Sequence, residues 1–304
     1  MMGFDEDFLG KEYTVKLPIH SLDKHLIINY SRFSVCHNKD RRLALFSASN
    51  NRDSRWKIDR RKFRKDRINL KSKYQIGDEF YSSPTIDKSS TDDSNVFDRG
   101  HITAKHYVDW GETRDQAEKS SDDSFYFTNC TPQFWQINQD PGAWNKLEAF
   151  VMKKLGAKGV SVISGQIFRE DDPIAVYKNK KTGKSQEIQI PLKFWKLVYY
   201  INGNKLKRIA FVIKQDKEVY NLSFIKKKRF KILETFRADP FDKLPKTLKA
   251  FIVDPKEIEK ITKLKFQEAE DYFSSGARIL KADTESLSQV NYFELSEVDI
   301  LDYL

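Results

Sequence analysis

Cysteine is scarce in this chain: Cys36 and Cys130 are the only two among 304 residues. Two thiols make no disulfide framework, and a pair of buried free thiols is the reading that fits. Long apolar runs are also missing. No stretch approaches the roughly 20 residues that a helix needs to cross a bilayer, so no membrane partner is expected. The start, Met1-Met2-Gly3-Phe4-Asp5-Glu6-Asp7, is acidic and lacks the apolar run of a secretory leader. A cytoplasmic location is the expectation, and a leader trimmed ahead of residue 1 stays open. Internal repeats are absent. So are helix-turn-helix and zinc-finger signatures, which leaves no visible element for reading base edges.

What the chain does hold is aromatic residues (13%) and charge (32%), the composition of a globular protein with a heavily solvated surface. Its length allows one large domain or two ordinary ones with a sizeable core. The net charge of +10 and pI near 9.3 suit a polyanionic partner. Positive charge is densest from Arg52 to Lys73, with eleven arginines and lysines among twenty-two residues and Trp56 and Phe63 interleaved. Such a run is either a solvated face or a track for phosphates, where cations gain from counterion release.

Residues 26–37 and 41–49 read as two strands around the turn Asn38-Lys39-Asp40. Residues 120–124 read as a loop leading into a strand over 125–127. An apolar strand is expected over 160–168, and a polar surface hairpin over 171–187. Strands over 194–201 and 206–214 flank Asn202-Gly203, a hairpin signal because type I′ turns need positive φ. Ile258, Ile261 and Leu264 predict a short closing helix.

The chemistry is concentrated in about fifty residues. Phe97-Asp98-Arg99-Gly100-His101 precedes Asn129-Cys130-Thr131-Pro132-Gln133 and the stretch from Asn138 to Glu148. Cutting a phosphodiester takes an activated water, a cation at the phosphate and a proton for the leaving oxygen. His101 suits the base role, since imidazole titrates near neutral pH, and on that basis activity should fall below about pH 6. Asn138 offers a hard carbonyl ligand to Mg2+, which keeps several waters. Glu148 suits an acceptor for those waters. Arg99 suits neutralising charge on the phosphoryl oxygens. Gly100 is expected to break the strand before His101. Asp140-Pro141 reads as the start of a helix whose buried stripe is Trp144, Leu147, Val151 and Leu155. His106 reads as a packed or solvent-facing residue, and His20, His25 and His37 as surface or strand positions.

The strings DRGH, TNCTPQ and INQ followed by GAWNKLE resemble the DNA/RNA non-specific endonuclease family with a ββα-metal finger. The resemblance spans about residues 4–266, including Ile190-Pro191-Leu192-Lys193-Phe194-Trp195-Lys196. It implies His101 as general base, Asn138 as metal ligand, Glu148 on the metal's waters and Asn129 as a supporting active-site residue. Asp98 and Arg99 match the pair inside the first motif. It further implies cleavage of DNA and RNA through backbone contacts, with one Mg2+ (or Mn2+) and 5′-phosphate and 3′-hydroxyl ends. For a phosphate-contacting arginine upstream, Arg55 is the first candidate, with Arg52 and Arg60 as rivals. The sequence departs from the family at Asp140-Pro141, which look inserted, and at Met152, where some members carry arginine.

The expected fold is α+β, a mainly antiparallel sheet with flanking helices, as one nuclease domain over 1–275. Residues 276–304 form a separate tail. Its last 22 residues hold six acidic side chains and no lysine or arginine, alongside Tyr292, Phe293, Leu295, Ile300 and Leu301. Three readings of the tail stand: a loose end, a mask over the basic groove, or a docking segment for a homodimer or regulatory protein. Two alternatives to the working nuclease also stand. One is a nucleic-acid-binding pseudonuclease whose metal site the insertion has spoiled. The other is a toxin or defence effector gated by a partner.

Overall fold

The computed structural model describes residues 2–20, 25–52, 56–82, 96–155, 159–179, 182–222, 225–226, 241, 249–271 and 292–294. Strands that are apolar on both faces need cover on both sides, and here they build the centre of a nine-stranded sheet. Along its path the strands run Tyr292–Glu294, Ala250–Val253, Lys205–Lys214, Lys193–Asn202, Val160–Ile167, Leu43–Asn51, Phe33–Asn38 and Leu26–Tyr30. Every neighbour on this path is antiparallel, and Glu270–Asp271 joins Lys205–Lys214 in parallel off the path. The α+β expectation is met.

Alternation along the strands sorts side chains between two cores. Val160, Val162, Phe194, Val198, Ile209 and Phe211 face one core, with Tyr107, Trp144 and Leu147 of the helices above them. Ile163, Trp195, Leu197, Tyr199 and Val212 face the other, against Val15, Ile258 and Leu264. Each fully buried Phe or Leu of this kind contributes about 1.5–3 kcal/mol. A third cluster, with Phe80, Phe97, Phe127 and Ile190, lies beneath the two-stranded hairpin of Phe97–His101 and Cys130–Phe134. The polar hairpin forms from Ile174–Lys178 and Ser185–Gln189. Cys36 and Cys130 are buried free thiols.

Local differences from the sequence reading have identifiable causes. Residues 26–37 hold two strands rather than one, because Arg32 turns the chain at φ 67° and Tyr30 stacks on Phe33 at 4.9 Å. The turn residues of the last long hairpin are Gly203 (φ 59°) and Asn204 (φ 55°), one place later than expected, with Asn202 paired to Lys205. Residues 120–124 belong to a helix, Arg114–Ser124, capped by Thr113, whose side chain accepts from the Gln116 amide. Its buried residues include Ala117, Ser120, Ser121 and Ser124. A face of small residues leaves no apolar period to read. Phe127–Asn129 is a 3₁₀ turn, not a strand. The closing helix is Pro255–Thr262, with Asp254 accepting from the Lys256 amide.

Within the tail, Tyr292–Glu294 pairs antiparallel with Ala250–Val253 at the end of the sheet path. The rest of residues 276–304 lies outside the described residues.

Candidate active site

The hairpin Phe97–His101 and Cys130–Phe134, followed by the helical turn Trp135–Asn138 and the helix Ala143–Phe150, makes a ββα unit. Gly100 lies inside the first strand and does not break it. Its missing side chain has another reason. A Cβ there would meet the Gln133 carboxamide at 2.2 Å, so only glycine lets Gln133 pack across the hairpin. The Asp140-Pro141 expectation is also corrected: these residues precede the helix, which starts at Ala143 after Gly142. Asn138 is thereby the last residue of its own helical turn.

Asp98 and Asn138 meet directly. Asn138 Nδ2 donates to Asp98 Oδ2 at 2.9 Å, and Gln139 Nε2 donates to Asp98 Oδ1 at 3.1 Å. An amide whose nitrogen is tied to a carboxylate has its oxygen turned the other way. Asn138 thus presents a carbonyl oxygen that its neighbour has oriented.

His101 ends the first strand, between Phe63 at 4.7 Å and Phe125 at 4.9 Å between ring centroids. Its Nε2 is buried without a hydrogen-bond partner among the described residues. Burial lowers its pKa to about 3, helped by the charges of Arg60, His106 and Lys105, so the imidazole is neutral at physiological pH. Asn129 holds the chain just beyond it. Its Oδ1 accepts from the Thr103 amide at 2.9 Å, and its Nδ2 donates to the carbonyls of Thr103 (2.9 Å) and Ser124 (3.0 Å). Both amide donors are used, which makes Asn129 a clamp on the His101 loop.

Glu148 is buried on the helix above the sheet, and its Oε1 has no hydrogen-bond donor among the described residues. Burial raises its pKa, against the pull of Lys196, whose Nζ lies 4.0 Å away. Arg99 is turned toward Asp78, with contacts of 2.9 and 3.1 Å to Oδ1, and donates to Ser82 Oγ at 3.0 Å. Of the upstream arginines, Arg60 is the one whose charge acts on His101. Arg52 sits over Phe8 (4.9 Å) and Trp110 (5.6 Å). Arg55 lies outside the described residues.

The donor chemistry fits a hard divalent ion. Asn138 Oδ1 and Glu148 are oxygen donors, and an ion with so few protein ligands keeps most of its waters. Among the described residues no group of three or more His, Cys, Asp or Glu converges as a metal cage.

A model of the DNA/RNA non-specific endonuclease family matches residues 14–273. The chain belongs to this family. Human mitochondrial endonuclease G is 32% identical over 122 residues, 38% of this chain and 38% of its own length. The bovine enzyme is 30% identical over the same shares. The protein y4fB of Sinorhizobium fredii is 31% identical over 207 residues, 65% of this chain and 28% of its own length. The chain therefore spans well under half the length of these relatives. A chain in the solved EndoG/EndoGI complex aligns over 86% of this one and 89% of itself, with 20% identity and a TM-score of 0.48.

Sequence reasoning gave no role to Lys196, on the central-sheet strand Lys193–Asn202, or to Gln133 of the ββα unit. A lysine in the middle of an otherwise apolar strand was the available signal for the first. Gln133 is fully buried with both carboxamide atoms unpartnered among the described residues, and nothing local in TPQ announces that.

Buried neutral histidines carry a consequence for stability. Burial lowers His37 and His106 to about 4 and His101 to about 3. Between these values and the unfolded value near 6.5 the unfolded chain binds more protons, so stability falls as pH falls. The window opens at about 6.5 and closes near 4 for two of the rings and near 3 for His101. At pH 5 each such ring is worth on the order of 2 kcal/mol, a large share of a typical folding free energy. Buried Glu148 and Asp172, raised by burial to about 7 and about 6, act with the opposite sign over the same range, so the histidine contribution is read by difference. In thermal melts the wild type should lose more Tm between pH 7 and pH 4.5 than His37→Phe, and equal losses would show that His37 is not buried neutral.

Proposed function

We propose that the chain is a metal-dependent endonuclease that hydrolyses phosphodiester bonds of DNA and RNA with little sequence preference, leaving 5′-phosphate and 3′-hydroxyl ends. Family membership supports the reaction class. The observation that carries the assignment of residues is the Asp98–Asn138 hydrogen bond on the hairpin that ends at His101.

In this reading neutral His101 takes the proton of the attacking water, and Asn129 keeps its loop in place. Asp98 aims the Asn138 carbonyl, which would hold Mg2+ or Mn2+ together with Glu148 acting through the ion's waters. When bound, the ion neutralises charge at the phosphate. Arg60 and Arg99 offer further cations, Arg99 by exchanging Asp78 for phosphate.

The test is incubation of a plasmid and of an RNA with excess Mg2+ and with EDTA. Cleavage of DNA and RNA with the ion and none with chelator is expected, and EDTA-resistant cleavage would sink the metal reading. Binding should weaken steeply with salt and differ little between unrelated duplexes, because phosphate contacts carry no sequence. A preference above about a hundredfold for one sequence, measured by competition, would reveal base readout.

A further inference from the structure

Lys196 is a cation placed where no water reaches it. Alternation along Lys193–Asn202 puts it on the side of Phe194 and Val198, in the core shared with Trp144 and Leu147. Its exposure is 0%. Nζ donates to Ser164 Oγ at 2.9 Å, from the neighbouring strand. Two rings flank it, Trp144 at 4.3 Å and Tyr107 at 5.1 Å from their centroids. The carboxylate it faces is Glu148, at 4.0 Å.

An ammonium desolvated to this degree costs stability that a methionine of similar volume would not, so a purely structural role is poorly served by lysine. Ser164 and the two rings fix the cation to the rigid sheet. Glu148 sits on the helix above, has no hydrogen bond to Oε1 among the described residues, and is held in its charged form first by Lys196 and then by Trp144. We infer that Lys196 is a positioning residue, a fixed interior charge that holds the Glu148 carboxylate in place for the metal's waters and acts on the reaction only through Glu148. This rests on the proposed nuclease site. The charge of Lys196 also reaches His106, so the test must separate the Glu148 route from a general electrostatic one.

The experiment compares wild type with Lys196→Met, Glu148→Gln and the double variant at one fixed pH. It reads kcat, the half-activating Mg2+ concentration, and Mn2+ binding followed by the ion's EPR signal. Lys196→Met and Glu148→Gln should each weaken Mn2+ binding and raise the half-activating Mg2+ by about 10–100-fold, as removal of groups that orient metal ligation does. The double variant should be no worse than Glu148→Gln alone, since partners in one interaction are not additive. Wild-type metal binding and turnover in Lys196→Met would overturn the inference, as would losses that multiply in the double variant. If Lys196→Met does not fold, the double variant, which removes both charges, still decides. Equality with Glu148→Gln supports the inference, and a further drop of about tenfold or more overturns it. Loss of the underlying reading looks different: wild type would show no Mg2+-dependent cleavage, or Glu148→Gln would match it.

Discussion

His101→Ala is expected to lower plasmid cleavage by about 10²–10⁴-fold while leaving nucleic-acid binding unchanged. The proposed base role rests on the setting of the ring. It ends a hairpin strand, lies between Phe63 and Phe125, and keeps Nε2 free of any partner among the described residues. Alanine removes the acceptor and leaves the backbone pairing with Cys130 intact. The pH dependence changes from what an ordinary imidazole implies. With its pKa lowered to about 3, His101 keeps its free base form far below pH 6. An acid limb between pH 5 and 7 therefore belongs to another group, with Glu148, raised by burial, the leading one, or to unfolding. Rates measured beside circular dichroism separate these. The same limb should persist in the residual activity of His101→Ala. Wild-type turnover in that variant would end the base assignment, and disappearance of the limb would assign the limb to His101 itself and overturn its lowered pKa.

Asn138→Ala is the second large effect, with activity at millimolar Mg2+ falling by at least about 10²-fold, as expected for loss of a positioned ligand. Asn138 is neutral, so the proposed site should bind the ion weakly before substrate arrives, and raised Mn2+ should restore part of the loss. Asp98→Ala probes the orientation separately. Without that carboxylate the Asn138 amide is free to rotate, and a loss of about 10–100-fold in metal affinity is expected. Calorimetric Mn2+ titration of both variants checks the order of effects. Equal, wild-type affinity in both would remove Asn138 from the metal site.

Much of the unit was readable because its residues are close in sequence and their geometry is local. The strand leading to His101 and the helix bearing Trp144, Leu147 and Glu148 follow from motif order and a three-to-four spacing, whereas the helical turn Trp135–Asn138 was not read. Errors arose where a local signal had a non-local answer. Gly100 looked like a turn glycine, yet the side chain of Gln133 across the hairpin requires it. Ser120 to Ser124 looked like a loop, yet small side chains let that helix pack closely. Arg99 pairs with Asp78, twenty-one positions earlier, a contact that no local signal announces.

By itself the sequence determined the family, the α+β class, the basic character and the identity of the groups that could do chemistry. These depend on residue type and short-range order, which any chain displays before it folds. Only the tertiary structure decided which groups share an environment. It set the His101 ring between Phe63 and Phe125, with Nε2 out of solvent so that the ring stays neutral, tied the Asn138 amide to Asp98, and placed Lys196 of a central strand against Glu148 of a helix. Desolvation and pair geometry depend on distances between segments far apart in the chain, and residue order alone does not contain those distances.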